Sequence, residues 1–305
     1  MNVLILSRSE NTHADAVESW LKKRKISVSR INFDFKLIEE KKFPQIILGN
    51  TKSHPDAIFV HHPRIDYRAD WFMDNLEQKL FMASWNSVQE WMEAQFYETL
   101  WVNKPSANLR SRNVLYQLQI AKSVGFRTPD TLFTNDIAEL KLFARDAIVV
   151  IKQGNLGVHM DKQRILTSII DVNSIEDYTL RNCPCLFQKY IEKSFELRIH
   201  VIRDAVLSCK IDSQASDKTR VDWRNYDLHN TPHTPYILNE TLRTQCISLV
   251  ENMGLAFGVI DAIITPQNEF VFLECNAQGH WLWIEQLTNL PITNNLCELL
   301  ISGLR

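Results

Sequence analysis

Two apolar stretches near the carboxyl end, Phe257–Ile264 and Phe270–Cys275, flank the turn residues Pro266-Gln267-Asn268. Short apolar runs bounded in this way read as paired antiparallel strands. Acidic residues sit inside them: Asp261 follows Val259-Ile260, and Glu274 follows Val271-Phe272-Leu273. Alternate residues of a strand share a face. Glu274 and Asn276 therefore point the same way, and the partner strand can set Asp261 beside them. Two carboxylates held close repel each other unless a cation or a proton stands between them. With an amide oxygen alongside, they suit Mg²⁺, a hard cation that takes oxygen ligands and leaves room for nucleotide phosphates. A solvated hairpin face is the plain alternative, and the apolar residues on both sides argue against it.

The rest of the chain sets the frame for this hairpin. Its 305 residues can bury a large core, as one multi-lobed enzyme or two to three subdomains. A formal net charge of −2 gives no general basic field, so neither nucleic acid nor a membrane surface is expected as a partner. No apolar run is long enough for a membrane span, and Met1–Ser7 lacks the basic start of an export signal. The six cysteines all lie in the second half without CxxC spacing, which fits reduced thiols in a cytoplasmic protein. Cys183-Pro-Cys185 reads as a strand-entry turn with two small buried residues, and His229 and His233 as part of a polar loop.

At the amino end, strands at 2–7, 26–33 and 57–60 alternate with a helix over 13–25, which predicts a parallel, doubly wound sheet. A helix over about 70–100 carries Trp85, Val88, Trp91, Met92 and Phe96, an aromatic stripe that suits a core or a subunit interface. Asn108 or Ser111 is expected to cap the next helix, with Leu115, Leu118 and Ala121 inward and Gly125 ending it. A small α/β unit follows: strand 131–133, a helix capped by Asn135, the β-rich run 147–152, and strands 164–170 and 186–190. The last portion predicts paired strands 196–203 and 205–212, a loop with Asp222-Trp223-Arg224, a helix over 239–253, the hairpin, and two terminal helices.

Two further sites carry chemistry. Lys152 ends a β-rich run just before a loop with Gly154 and Gly157, where an ammonium and free backbone N–H groups could meet phosphate oxygens; alone, a surface turn explains it better. In Phe187–Arg198 a turning strand could offer backbone groups to an adenine edge. Glu196 could take ribose hydroxyls, and Arg198, on the same strand face, could stabilise a transferring phosphoryl group. A salt-bridged exposed strand explains these residues equally well.

Taken in order, Lys152 before a Gly loop, Glu196-x-Arg198, Asp222-Trp223-Arg224, Gly258-x-x-Asp261 and Glu274-x-Asn276 resemble the ATP-grasp superfamily. Within it the chain is most similar to the graspetide (microviridin-type) peptide macrocyclases. Trp101-Val102-Asn103-x-Pro105, Tyr116-Gln117-Leu118-x-Ile120-Ala121, Gln188-Lys189-Tyr190-Ile191-Glu192-Lys193 and Asn276-Ala277-Gln278-Gly279-His280-Trp281 carry that likeness across nearly the whole length. The resemblance implies an α/β ATP-grasp fold. It would comprise a doubly wound pre-ATP-grasp domain (1–127), a small central α/β lobe (128–193) and an antiparallel C-terminal lobe (194–305). It implies ATP and Mg²⁺ as cofactors. Lys152 would bind phosphates; Gln188, Lys189, Tyr190 and Ile191 would hold adenine; Glu196 would hold ribose. Asp261, Glu274 and Asn276 would bind the metal, and Arg198 and Arg224 would stabilise the acyl-phosphate and its breakdown. A precursor peptide with leader and core is the implied partner, and a homodimer the implied assembly.

One stretch departs from the family pattern. Asn113, Val114 and Leu115 occupy the positions just before Tyr116 where the family usually has a second phosphate-binding lysine, and Ala277 stands where proline is common. Two other readings therefore accompany the macrocyclase: an intermolecular ligase adding an amino acid to a protein or peptide tail, as in ribosomal-protein glutamate ligases, and a nucleotide-binding partner without catalysis.

Overall fold

The computed structural model describes residues 2–34, 54–63, 74–152, 167–175, 177–225 and 227–302. Among them three sheets form. The first is parallel, with strand order β2-β1-β3-β4: β1 is Asn2–Ser7, β2 Ser27–Asn32, β3 Ala57–Val60 and β4 Leu100–Val102. Val3, Ile5, Ala57 and Phe59 point to one side, where helix α1 (Thr12–Lys23) packs Ala14, Val17 and Leu21 with almost no exposure. Leu4, Leu6, Ile58 and Val60 point to the other, against α2 (Asn75–Gln95). Both faces are covered, so these strands read as apolar runs rather than alternating ones.

The aromatic stripe belongs to that second face. Met92 and Phe96 are buried, and Trp85, Val88 and Trp91 pack against the same cluster. It is core of this chain.

The connection to the next lobe corrects two expectations. Helix α3 (Pro105–Ser111) contains Asn108 and Ser111 instead of being capped by them, and Asn113 caps α4 (Val114–Ser123) by accepting the Tyr116 N–H. Pro105 at the first turn starts α3 earlier than the sequence reading allowed. On α4, Leu118 and Ala121 are buried but Leu115 is 45% exposed. The inward position is Gln117, whose amide bonds the backbone of Ser111 and Cys275. Gly125, at φ +89°, ends the helix in a left-handed conformation that a side chain would strain.

The central sheet is antiparallel, order β5-β8-β6-β7: β5 is Thr131–Thr134, β6 Val149–Lys152, β7 Ser168–Ile170 and β8 Cys185–Lys189. Helices α5 (Ile137–Phe143) and α6 (Asp177–Asn182) flank it. Asp136 rather than Asn135 caps α5; the Asn135 amide reaches the Arg181 carbonyl instead. Cys183 is exposed and Cys185 half-buried, so the turn they form does not bury them; Cys185 Sγ donates to the Cys183 carbonyl. All six cysteines are free. The glycine loop at 154–157, and the first residues of the strand expected at 164–170, lie outside the described residues.

The C-terminal sheet, order β11-β10-β9-β12-β13, is antiparallel throughout. Its strands are β9 (Phe195–Ile202), β10 (Ala205–Ile211), β11 (His233–Tyr236), β12 (Phe257–Ile264) and β13 (Phe270–Asn276). One face packs α7 (Glu240–Asn252) and α4 through Leu197, Ile199, Ile260 and Phe272. Val259, Phe257 and Cys209 turn to the other face, against α8 (Leu282–Thr288), α9 (Ile292–Ser302) and the first lobe. No described helix is long and apolar enough to cross a membrane.

Candidate active site

An open cleft lies between the central and C-terminal sheets. Its walls come from the sheet faces: Val150 and Lys152 from β6, Gln188 and Lys189 from β8, Glu196 from β9, Asp261 and Ile263 from β12, and Glu274 from β13. Tyr190, Ile191, Asp222 and Arg224 close the remaining sides.

The acidic cluster forms as the hairpin pattern predicts. Asp261 and Glu274 are register partners, with a bulge immediately after Asp261 that aims both into the cleft. Asn276 donates Nδ2 to Asp261 Oδ2 and to Glu274 Oε1, each at 3.2 Å. Arg198, the register partner of Asp261 on β9, donates to its carboxylate at 2.8 and 3.1 Å. Arg224 Nη1 stands 3.9 Å from Glu274. Burial raises the Asp261 carboxyl above its ordinary range, more than Arg198 lowers it. Glu274 is equally disfavoured by burial, but Lys152 and Arg224 outweigh this and hold it below its ordinary value. Two carboxylates thus share one cationic field supplied by Arg198, Arg224 and Lys152.

Arg224 is itself held. Asp222 accepts its Nε at 2.9 Å and its Nη2 at 2.6 Å, and also the Thr167 N–H at 3.0 Å. Burial pushes the Asp222 carboxyl up, yet its bonds to Arg224 bring it down to about 2. Trp223, between these two, turns into the core and stacks on Trp283 at 5.2 Å. The Arg198 guanidinium lies over both indoles, 5.1 and 5.8 Å from their centres.

At the other end of the cleft, Glu196 is buried and paired with Lys193 at 2.7 Å; Lys193 Nζ also donates to the Val221 carbonyl. Burial raises Glu196, and Lys193 opposes the rise. Lys193 was missing from the sequence reading of this cleft, although its place three residues before Glu196 was there to be read. Gln188 turns its amide to Thr131 Oγ1, and Lys189 sends its ammonium to Asp130 at 3.2 Å. Two of the backbone N–H groups expected to be open to a ligand here are engaged. The N–H of Lys189 goes to the Asp130 carbonyl and that of Tyr190 to the Ile148 carbonyl, because the chain stays hydrogen-bonded one residue beyond β8. Among the described residues, none accepts the Ile191 N–H.

The structure therefore brings Lys152, Gln188, Lys189, Tyr190, Ile191, Glu196, Arg224, Asp261 and Glu274 to one cleft, with Arg198 and Asn276 bonded to its acidic wall. A four-stranded parallel start, a small antiparallel lobe and a five-stranded antiparallel lobe with the charged cleft between the last two have close counterparts among solved structures. An ATP-grasp ligase from Chryseobacterium gregarium, associated with a ribosomal peptide product and solved with ADP and a leader and core peptide, superposes with a TM-score of 0.84. It is 25% identical, over 99% of this chain and 96% of that one. The chain has the ATP-grasp ligase fold. The macrocyclase MdnC of Microcystis aeruginosa MRC, bound to the precursor peptide MdnA, shares that ATP-grasp architecture at a TM-score of 0.83 and 23% identity, over 99% and 100% of the two chains. The ATP-grasp ligase PsnB, complexed with a phosphomimetic variant of its minimal precursor, Mg and ADP, gives 0.77 and 19%, over 100% and 98%. Among curated proteins, human N-acetylaspartylglutamate synthase A is 23% identical over 214 residues, 66% of this chain. The chain spans about half the length (52%) of that relative. No family model matches.

A group of histidines escaped the sequence reading altogether. His13, near the start of α1, and His61 and His62, directly after β3, meet His280 from the segment that follows β13. The ring centres of His13 lie 4.9 Å from His61 and 4.8 Å from His280, and those of His62 and His280 lie 5.3 Å apart. The adjacent pair His61-His62 at a strand's carboxyl end was the available signal.

Proposed function

We propose that this ATP-grasp chain is a peptide ligase that activates Asp or Glu side-chain carboxylates of a ribosomal precursor peptide as acyl-phosphates. It then joins them to Lys amines or Ser/Thr hydroxyls of the same peptide, closing rings. The observation that carries this is the convergence of Lys152 and Arg224 on Glu274, beside Asp261 and Asn276, in one cleft.

The donor set fits Mg²⁺. Among the described residues no three His, Cys, Asp or Glu side chains are arranged to hold a metal. Two carboxylates plus one amide are what a cation needs when phosphates and water complete its shell. Turning the Asn276 amide by half a rotation presents its oxygen where Nδ2 now bridges the two acids. Bound there, Mg²⁺ would neutralise phosphate charge during transfer. Asp261, Glu274 and Asn276 would hold it, Lys152 would meet phosphate oxygens, and Gln188, Lys189, Tyr190 and Ile191 would line the base. Of these four, Ile191 has the N–H to offer. Glu196, fixed by Lys193, would receive the ribose.

Arg198 and Arg224 would stabilise negative charge on the acyl-phosphate. Each is immobilised by a carboxylate, Asp261 and Asp222 respectively, so little ordering is left for the reaction to supply. Asn113 caps α4, and Val114, its first helical residue, stands where the family usually has a lysine. A precursor peptide as partner, a cytoplasmic setting and a homodimer complete the reading.

Mg-ATP and a candidate precursor, encoded as a short peptide rich in Asp, Glu, Thr, Ser and Lys, test it by intact mass. Loss of one water per bond with matching ADP is expected, abolished in Lys152→Ala and Glu274→Ala. The curated relative is named as a synthase of N-acetylaspartylglutamate rather than as a cyclase, which favours intermolecular ligation as the second reading. A mass gain equal to an amino acid would decide for it.

A further inference from the structure

Lys193 and Glu196 form an ion pair where such a pair gains the fold little. The two charges meet at 2.7 Å with 5% of each side chain exposed, and both residues line the cleft. Taking two charges out of water costs about as much as their attraction returns. A buried pair on the wall of a charged cleft points instead to a use in that cleft.

The ammonium donates in two directions: to Glu196 and, at 2.9 Å, to the carbonyl of Val221, 28 positions further along the chain. Glu196 is placed by its sheet, opposite Ile211 on β10 and Ile263 on β12. The backbone beside Lys193 is fixed as well, since the Ser194 N–H bonds the Ile264 carbonyl at 2.7 Å. Val221 has a different setting. It lies in the connection between β10 and β11, whose ends are joined by the Asp212 N–H and the Pro232 carbonyl at 3.0 Å. That connection brings Asp222 and Arg224 to the cleft. Trp223 anchors it in the core, and Lys193 ties the residue just before Asp222 to the start of β9. The bonds run on from there. Asp222 accepts the Arg224 backbone N–H at 3.0 Å and its guanidinium at 2.6 Å, and Arg224 stands 3.9 Å from Glu274.

Resting on the ligase reading above, we propose that Lys193 is a positioning residue with two arms. One aims Glu196 at the nucleotide's ribose. The other holds Val221, and through it the Asp222–Arg224 pair, at the phosphate end. Selection of the sugar and stabilisation of the transferring phosphoryl group then depend on one ammonium. Charge separates the two arms. Burial raises the Glu196 carboxyl above its ordinary range; Lys193 and the Ser213 hydroxyl pull it down, and Asp222 pushes it up. Tyr190 faces it too, and is neutral at ordinary pH. Lys193 is the cation of this group. Without it the acid takes up a proton and loses the charge that makes it a strong acceptor for a sugar hydroxyl. The bond to the Val221 carbonyl would be lost at every pH.

The test uses the full chain and Lys193→Met, which keeps an unbranched stem without the charge. By calorimetry the wild type should bind ATP about tenfold or more tighter than the weaker of its 2′-deoxy and 3′-deoxy analogues. In Lys193→Met this preference should shrink to about twofold at pH 6.5 and return as the pH rises toward about 9, where buried unpaired carboxyls ionise. Glu196→Gln should lose the preference with no such return. The second arm is read in ADP formation with Mg-ATP and the candidate precursor. Adding Lys193→Met to Glu196→Gln leaves a neutral pair, with no stranded charge to unfold the chain, and should lower kcat about tenfold further with little change in KM for ATP. If Lys193 served Glu196 alone, the second substitution would add nothing. No sugar preference in the wild type, a preference kept in Lys193→Met at pH 6.5, a return with pH in Glu196→Gln, or a kcat equal in the single Glu196→Gln and double variants would overturn the two-armed role. A wild type that neither binds ATP nor forms ADP would instead overturn the ligase reading on which it rests.

Discussion

Acid should unfold this protein earlier than an ordinary α/β enzyme, and His13 and His62 set the scale. Burial, reinforced by neighbouring rings and by Arg198, lowers His13 from 6.5 to about 3; burial and the His280 ring lower His62 to about 4. Below pH 6.5 the unfolded chain takes up protons that the folded chain refuses. Stability is therefore whole above about pH 7 and falls with pH until the folded values near 4 and 3 are reached. At pH 5 each imidazole costs about 2 kcal/mol, so the pair costs about 4 kcal/mol, less whatever part of the two shifts is their mutual repulsion. His61 and His200 are shifted the same way, chiefly by burial, and add to the loss. Against a total stability of about 5–15 kcal/mol for a typical domain this is decisive. His13→Phe isolates one contribution: it keeps a ring against Trp281, and Nδ1 of His13 has no hydrogen-bond partner to lose. Urea unfolding followed by tryptophan fluorescence at pH 7.5, 6.5, 5.5 and 5.0 gives the difference between variant and wild type, in which the carboxylates cancel. The variant should gain about 2 kcal/mol relative to wild type between pH 7.5 and 5.0. A difference that stays flat over this range would show that the folded His13 ring protonates normally and would refute the account.

Two substitutions probe how the site is held. Gln117→Leu removes the amide that bonds the Ser111 carbonyl and both backbone groups of Cys275; thermal and urea unfolding should show a loss of about 3 kcal/mol. Gly279→Ala puts a Cβ 2.5 Å from a Val259 methyl carbon, so the segment carrying Asn276 and His280 must shift. ADP formation should drop several-fold with a stability loss of about 1–3 kcal/mol, and a variant of wild-type rate would show that the segment has room to spare.

The hairpin was legible because it needs only local pattern: a two-residue period places Glu274 with Asn276, and strand pairing supplies Asp261. The parallel start was legible for the same reason. What could not be read depends on contacts between distant segments. Gln117 looks like a surface residue until Cys275, 158 positions away, is brought to it. Leu115 was assigned inward by hydrophobicity, yet its place on the helix faces solvent. The turning strand over Phe187–Arg198 was read as offering its backbone, and only Asp130 and Ile148 show that the N–H groups of Lys189 and Tyr190 are taken. The histidines are scattered over 267 positions, from 13 to 280, and no periodicity connects them.

Asn103 directly follows β4 and is 1% exposed. Its amide donates to the carbonyls of Phe257 and Ala277 at 2.8 Å and accepts from the N–H groups of Ala256 and Phe257 at 2.8 and 2.9 Å. One side chain thereby rivets the parallel sheet to both strands of the acidic hairpin. The chain is pinned again where it leaves and re-enters the C-terminal sheet, by Phe272 N–H to the Arg127 carbonyl and Ser194 N–H to the Ile264 carbonyl. The carboxylates of the acidic hairpin are thereby tied to the parallel sheet by bonds to backbone groups, whereas the central lobe that carries Lys152 and Gln188 meets them across the cleft through side chains such as Asp222, which accepts the Thr167 N–H.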